Sequence, residues 1–446
     1  MKNLTAKNKV GVATRDISPD WPLFLAGYPN VERTSDGIND PLFASAIFLS
    51  DGTNSIIMVS VDLLMFSPML ARQMREEIEK KTGVPASNIM LSCTHTHSGP
   101  MTYQMLSRKG TSPCDSPDSR YMKFFSENVI ASAVEAVKNA VPAEIAFTSA
   151  QISGVGTNRH DPKGPRDPEC SIIVTRDPIS KKLISLSLFY CMHPTVMHED
   201  SKKVSSDFPG FARKFLNASL GKDLKIIYHT GPAGNQSPRY DVKGQTFAEA
   251  ERLGSILGKA VLESVNKLKG DDFRDDLRIC AAVKKLELPF RTFKPLKEAE
   301  ATLEAARAKF AKLKAENAGH GPVRTAECDI FGAEKAVVLS KAQEKGEIAA
   351  LVKKYNPVEV IMLGIGDVRI VGFPCEIFVE YGLAVKEKSP LKTFTVTLAN
   401  GELQGYIVTK DSAAKGGYEA FYAIFLPESG DMMVSGLLEL INKSME

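Results

Sequence analysis

The stretch SAIFLSDGTNSIIMVSVDLLMFSPMLARQMREEIEKKTGVPASNIMLSCTHTH, Ser45–His97, decides the fold class. Its first two apolar runs flank the Gly-containing loop Asp51–Asn54, the pattern of a strand, a hairpin loop and a second buried strand. Residues 67–83 then have helical spacing, with Met69, Leu70, Met74 and Ile78 on one face, Ser67 as N-cap and Gly83 as stop. SNIMLSCTHTH is a strand again, and it ends on two histidines.

The same alternation continues outward. SRYMKFFSENVIASAVEAVKNA (residues 119–140) is an amphipathic helix, while AEIAFTSAQI (143–152) and CSIIVTRDPISKKLISLSLFYCMH (170–193) give further strands. LKIIYHTGPAGNQSP (224–238) is a strand running into a Gly/Pro loop, followed by a long helix over 246–268. The class is α/β, a mixed-sheet α/β fold with flanking helices. One composition shift interrupts it. Leu296–Gly319 and Ala333–Tyr355 are rich in Ala, Glu, Lys and Leu and predict two helices joined by a Gly/Pro linker. We expect a single domain over 1–446 with an inserted helical hairpin over 291–356.

The bulk numbers bound the partners. In 446 residues, 43% hydrophobic and 24% charged is the balance of a soluble globular chain. A net charge of +3 excludes a strongly electrostatic partner such as nucleic acid. No stretch approaches the ~18–20 apolar residues of a membrane span, and the N-terminus lacks an apolar leader. As written the chain reads as cytoplasmic, or as secreted if a signal peptide has been removed. Seven scattered cysteines, Cys114 among them, form no CxxC and read as free thiols.

The chemistry-bearing residues sit at strand ends. His95 and His97 are i and i+2, so on a strand both imidazoles point to one face. Both can ligate one metal, or one ligates while the other contacts substrate. His193 closes another apolar strand in FYCMHPT, and His198 follows in the loop. Glu376 in VGFPCEIFVEYG is costly to bury unless paired or metal-bound, with Glu380 competing for the role. Ser237 lies in the Gly-rich turn GPAGNQSPRY, and Asn158–Arg159 in a loop of turn residues where an Arg can neutralise an oxyanion. Tyr406 and Tyr418 lie in a Gly-rich C-terminal region. Together these form a nitrogen-and-oxygen donor set suited to Zn²⁺, without the sulfur ligands of a structural site.

The ordered motifs resemble the neutral/alkaline (non-lysosomal) ceramidase family. The resemblance rests on THTHSGP at Thr94–Pro100, Asn158–Arg159, the HPT segment at His193 and SSDFPGFA at Ser205–Ala212. It continues through GNQSP at Gly234–Pro238, P-x-E at Pro374–Glu376, Tyr406 and GGYE at Gly416–Glu419. It implies a zinc-dependent amidase acting on the N-acyl bond of ceramide or a similar small-molecule or lipid substrate, with one Zn²⁺ per chain. It implies His95, His193, Glu376 and Tyr406 as zinc ligands. His97, Arg159 and Tyr418 would hold substrate and the tetrahedral intermediate, and Ser237 would be nucleophile or substrate contact. The chain departs from the family in the inserted hairpin, in Asn235 where the serine loop carries an acid, and in ending without a C-terminal β-sandwich domain. Two alternatives stand beside this reading: a serine hydrolase using Ser237, and a non-catalytic binding protein that keeps the fold.

Overall fold

The computed structural model describes residues 7–28, 31–103 and 116–446. Cys114 lies outside the described residues, and the six cysteines within them are free thiols.

One arrangement of four strands recurs three times. β1 (Lys9–Asp16), β2 (Phe43–Ser50) and β3 (Ser55–Val61) run antiparallel to one another, and β4 (Ile89–Cys93) returns parallel to β3 across helix α1 (Pro68–Thr82). Helix α2 (Ser119–Lys138) leads to the second unit. There β5 (Glu144–Gln151), β6 (Glu169–Arg176) and β7 (Leu183–Tyr190) are antiparallel, and β8 (Lys225–Thr230) is parallel to β7 across α3 (Asp207–Leu220). After α4 (Phe247–Val265) the third unit repeats the pattern with β9 (Ile279–Leu286), β10 (Val358–Ile365), β11 (Val368–Gly372) and β12 (Lys392–Val396). Its first connection is long: α5 (Leu296–Ala315), α6 (His320–Glu344) and α7 (Glu347–Tyr355). Helix α8 (Val379–Lys388) makes its parallel crossover.

Alternation along the strands explains how the three sheets meet. Ile47, Met58 and Met90 of the first, Ile173, Phe189 and Ile227 of the second, and Ile361, Ile370 and Phe394 of the third share one inner core. Their neighbours face the other way: Ile57 and Leu91 pack with Met74 and Phe125 of α1 and α2, and Ile172 and Leu188 pack with Phe208 and Leu253 of α3 and α4. Burial of both faces makes these strands continuous apolar runs.

The hairpin departs from expectation in two places: the second helix is broken at Gly346, so that Glu347–Tyr355 forms a third helix, and its start lies earlier. The second helix begins at His320 rather than Ala333 and continues to Glu344. Pro322 sits in its first turn, where backbone N–H groups have no intrahelical acceptor, so the missing donor costs nothing. Gly332 in mid-helix allows close approach, since a Cβ there would lie 2.8 Å from the Cα of Tyr418.

The inner core holds one histidine. His229 is 0% exposed, bonded through Nδ1 to Ser92 Oγ at 2.8 Å and stacked on Phe189 with centroids 4.9 Å apart. Burial pushes its imidazole down to about 3. The unfolded chain therefore takes up a proton near pH ~6.5 that the folded chain refuses. The contribution to stability is complete above that pH and is lost progressively as pH falls from there through about 3. His229→Gln is expected to flatten the decline in thermal stability between pH 7 and pH 4; an unchanged slope would count against this assignment.

Candidate metal centre and active site

Three strand ends and three first connections reach the same end of the fold. β4 leads into His95, β7 into His193 and β11 into Glu376. Tyr28 from the β1–β2 connection, Arg159 from the β5–β6 connection and Arg324 from α6 line one cavity with His97.

His95 and His97 do not share a strand face. β4 ends at Cys93, and His95 has φ 68°, a left-handed conformation that costs an ordinary residue ~1–2 kcal/mol. The main chain is pinned there by His95 N donating to Leu63 O at 3.0 Å. The turn, not the strand period, brings the two rings to 5.0 Å, nearly perpendicular at 84°. Gly27 is needed beside them, because at φ 105° it is left-handed and a Cβ would lie 2.5 Å from His97 Nδ1.

The hydrogen bonds assign the tautomers. His95 Nδ1 lies 2.9 Å from Leu64 O, and His193 Nδ1 lies 2.6 Å from Ala233 O and 3.1 Å from Gln236 O. Carbonyls only accept, so each Nδ1 donates and each neutral ring presents a bare Nε2. The two Nε2 atoms are 3.1 Å apart. Glu376 Oε2 is 3.2 Å from one and 3.3 Å from the other, and has no hydrogen-bond donor among the described residues. Burial, then the Arg159 charge, push the His193 imidazole down to about 4, so it is neutral near pH 7. In these tautomers the two Nε2 atoms and Glu376 Oε2 are three acceptors facing one another, an arrangement that a bound cation relieves. The donor set fits Zn²⁺.

Two more groups adjoin this set. Nitrogens of His95, His97 and His193 lie within 4.8 Å of one another, so His97 offers an alternative third ligand. Neither ring nitrogen of His97 has a partner among the described residues, and burial, followed by the neighbouring imidazoles, holds it well below the usual histidine range. Tyr406 pairs in register with Glu376 in a short parallel ladder, Glu376–Ile377 with Tyr406–Ile407, and is buried. Glu380 is elsewhere: its carboxylate accepts from Asn235 Nδ2 at 2.8 Å, and Asn235 Oδ1 accepts from Val379 N, so this pair clamps the serine loop to α8.

Arg159 is the cation of the site. Its guanidinium carbon is 5.5 Å from the Tyr406 ring centroid and 5.8 Å from that of Tyr418. Nε donates to Glu419 Oε1 at 2.5 Å, and the second oxygen of Glu419 is 2.7 Å from His160 Nε2. Nη2 is buried and without a partner among the described residues. Burial opposes ionisation of Glu419, but Arg159 and His160 together outweigh it and hold the carboxyl well below the usual range. Ser237 is buried, and its Oγ accepts a backbone N–H from Arg239 at 3.4 Å; no imidazole is bonded to it among the described residues. Sequence reading passed over Glu419, although it stands beside Tyr418 in GGYE. It also passed over Glu402, 0% exposed, whose carboxyl is pushed well up by burial and then by Glu376.

Two small chambers meet at His97, Tyr406 and Tyr418. One, of about 60 Å³, is walled by Phe24, Leu64, Met65 and Met101. The other, of about 70 Å³, is walled by Ser237, Arg159, Arg239, Arg324 and Glu199.

Scaffold and site together define a mixed α/β protein with a buried nitrogen-and-oxygen donor centre at its strand ends. Residues 8–231, just over half of the chain, match the family described as neutral/alkaline non-lysosomal ceramidase, N-terminal, and the chain belongs to that family. It is 25% identical over 233 residues to a neutral ceramidase of Drosophila pseudoobscura pseudoobscura, covering 48% of this chain and 32% of the relative. To the neutral ceramidase of Pseudomonas aeruginosa it is 22% identical over 253 residues, covering 53% and 38%. The matched region is thus about a third of the length of these relatives. The crystal structure of the Pseudomonas aeruginosa protein superposes with a TM-score of 0.74 at 18% identity, covering 98% of this chain and 75% of that one. A structure titled ceramidase complexed with C2 gives 0.74 at 17%, again with 98% and 75% coverage. These superpositions establish the shared fold. No described helix is long and apolar enough to cross a membrane.

Proposed function

We propose that the chain is a zinc-dependent amidohydrolase that cleaves an N-acyl amide bond, with ceramide the first candidate substrate. The observation that carries this is the convergence of two bare Nε2 atoms and an undonated carboxylate oxygen within 3.1–3.3 Å. His95, His193 and Glu376 would hold one zinc, with Tyr406 alongside, and membership of the family supports the amidase chemistry. When bound, zinc polarises a carbonyl and lowers the pKa of a coordinated water toward ~7.

The chain's own residues supply the rest. Arg159 Nη2 is free to donate to the carbonyl oxygen as negative charge builds on it, with no reorganisation at that moment. Tyr418 borders both chambers and places a phenol on the same region. His97, neutral and unpartnered, can take the proton of the attacking water and pass it to the departing nitrogen. Ser237 contacts substrate in this reading, since a serine nucleophile needs a base within hydrogen-bond reach and no imidazole is bonded to it among the described residues. Residues 1–446 act as one catalytic domain, and the 291–356 hairpin is an insertion whose helix α6 walls the site.

The purified protein is expected to release fatty acid from a short-chain ceramide or another N-acyl amine. EDTA should abolish the activity and added zinc restore it. Turnover indifferent to chelation, in protein free of metal by elemental analysis, would overturn the reading.

A further inference from the structure

The chamber on the α6 side differs in character from its neighbour. Phe24, Leu64, Met65 and Met101 wall one side of the His97–Tyr406–Tyr418 junction. Arg159, Arg239 and Arg324 line the other, together with the Glu199 carboxylate and the rings of Tyr28 and Phe331. An amide placed at the junction therefore has its apolar acyl side directed to the first chamber and its amine side to the second.

The charges of the second chamber are unevenly matched. Arg324 is neutralised: it pairs with both oxygens of Glu199, at 2.8 and 3.0 Å, and with Glu327 at 2.6 Å. Arg239 has no carboxylate partner among the described residues. Its Nη1 donates to Thr325 Oγ1 at 3.0 Å and to Arg159 O at 3.4 Å, and its Nη2 lies 3.6 Å from Cys328 Sγ. Arg159 lines the same chamber, but its charge is taken up by Glu419, and its Nη2 is kept for the carbonyl oxygen. A half-buried guanidinium bonded only to neutral acceptors, lining a chamber next to the amide junction, suits an oxyanion.

Resting on the amidase reading, we infer that the substrate's amine side carries a compact oxyanion, a carboxylate or a phosphate, and that Arg239 selects for it. α6 assists through Thr325, which orients Arg239, while Arg324, matched by Glu199 and Glu327, closes the wall and leaves Arg239 as the cation free of a carboxylate among the described residues. Among the N-acyl amides of the amidase reading, the inferred preference is for an N-acyl amino acid or an N-acyl amino-alkyl phosphate over a neutral N-acyl amino alcohol such as ceramide, which is then cleaved more slowly. The amine product would leave as a zwitterion.

The test compares N-lauroylglycine, N-lauroylethanolamine and its O-phosphate, which share acyl chain and amide and differ in the terminal group. At least one anionic substrate is expected to exceed the neutral one in kcat/KM by about tenfold or more, the scale of one charge-assisted hydrogen bond. The arm with the larger ratio distinguishes carboxylate from phosphate. Arg239→Gln is expected to bring the ratio close to one and Arg239→Lys to retain part of it. Arg307→Gln, on an exposed face of α5, is expected to leave the ratio unchanged. Equal or faster cleavage of the neutral amide, or a ratio insensitive to Arg239→Gln, overturns the inference. Should none of the three be cleaved, calorimetric binding of the same compounds to wild type and Arg239→Gln decides it separately. An anion preference lost in the variant upholds the oxyanion site while the amidase reading fails, and no preference overturns both.

Discussion

His95→Ala is expected to release the bound metal and to lower kcat/KM for amide cleavage by about a thousandfold or more, while His97→Ala keeps the metal. The physical case rests on what each ring faces. His95 presents a bare Nε2 because its Nδ1 is committed to Leu64 O at 2.9 Å, and that Nε2 is 3.1 Å from the bare Nε2 of His193. Removing it leaves one imidazole and one carboxylate beside the weakly ligating Tyr406 phenol, a set short of the three strong donors of an open zinc site. His97 is differently placed. Both its nitrogens lack partners among the described residues, and it borders both chambers, as a group meant to meet substrate would. Its loss is expected to cost about 10²–10⁴ in turnover, the usual weight of one positioned acid–base group. Elemental analysis of wild type, His95→Ala and His97→Ala reads the difference directly. His95 has φ 68°, so His95→Asn, which tolerates the left-handed region better, separates ligand loss from backbone strain. If His97→Ala also loses the metal, the three-imidazole set is the true one and Glu376 becomes a neighbour of the ion instead of its ligand. If wild type binds no zinc even when it is added, the metal mechanism fails.

The residues proposed to hold the metal stand out in the sequence because each follows a run of apolar residues, as strands buried on both faces must be written. Their convergence is not legible there, because it depends on pairings across the chain. His95 and His193 are 98 residues apart, and a turn unrelated to the strand period aims His95 at its partner. The threefold recurrence of antiparallel, antiparallel, parallel strands has no fixed sequence period, since α5–α7 lengthen the third unit alone. The start of α6 was misplaced because Pro322 and Gly332 read as linker. In the structure one occupies a first turn and the other accommodates Tyr418. Glu419 illustrates the same limit. Nothing local distinguishes it from a solvated glutamate, and its partner Arg159 lies 260 residues away.

Glu419→Gln is expected to destabilise the protein by about 3–5 kcal/mol, the scale of breaking a buried ion pair by removing one partner. Arg159 and Glu419 side chains are 7% and 5% exposed and meet at 2.5 Å, so water cannot replace the lost charge. Glutamine keeps a carbonyl acceptor for Arg159 Nε but leaves the guanidinium uncompensated in a region already short of acceptors, where Nη2 has none. His160, half-exposed behind the pair, loses the carboxylate that its Nε2 meets at 2.7 Å. Because the folded carboxyl is held well below its usual range, its stabilisation is present above the ordinary carboxylate pKa and is lost only as pH falls through the lower folded value. The wild-type to variant gap should therefore stay constant from pH 7 down to about 5 and narrow in stronger acid. Arg159→Met combined with Glu419→Gln removes both charges and is expected to recover part of the stability without recovering turnover, because the oxyanion donor is gone. Urea unfolding of wild type, Glu419→Gln, Arg159→Met and the double variant at pH 7 measures this coupling. A Glu419→Gln protein within about 1 kcal/mol of wild type would show that the pair is not what holds Arg159 toward the chamber. The same single variant losing activity with stability intact would instead place Glu419 in the chemistry itself.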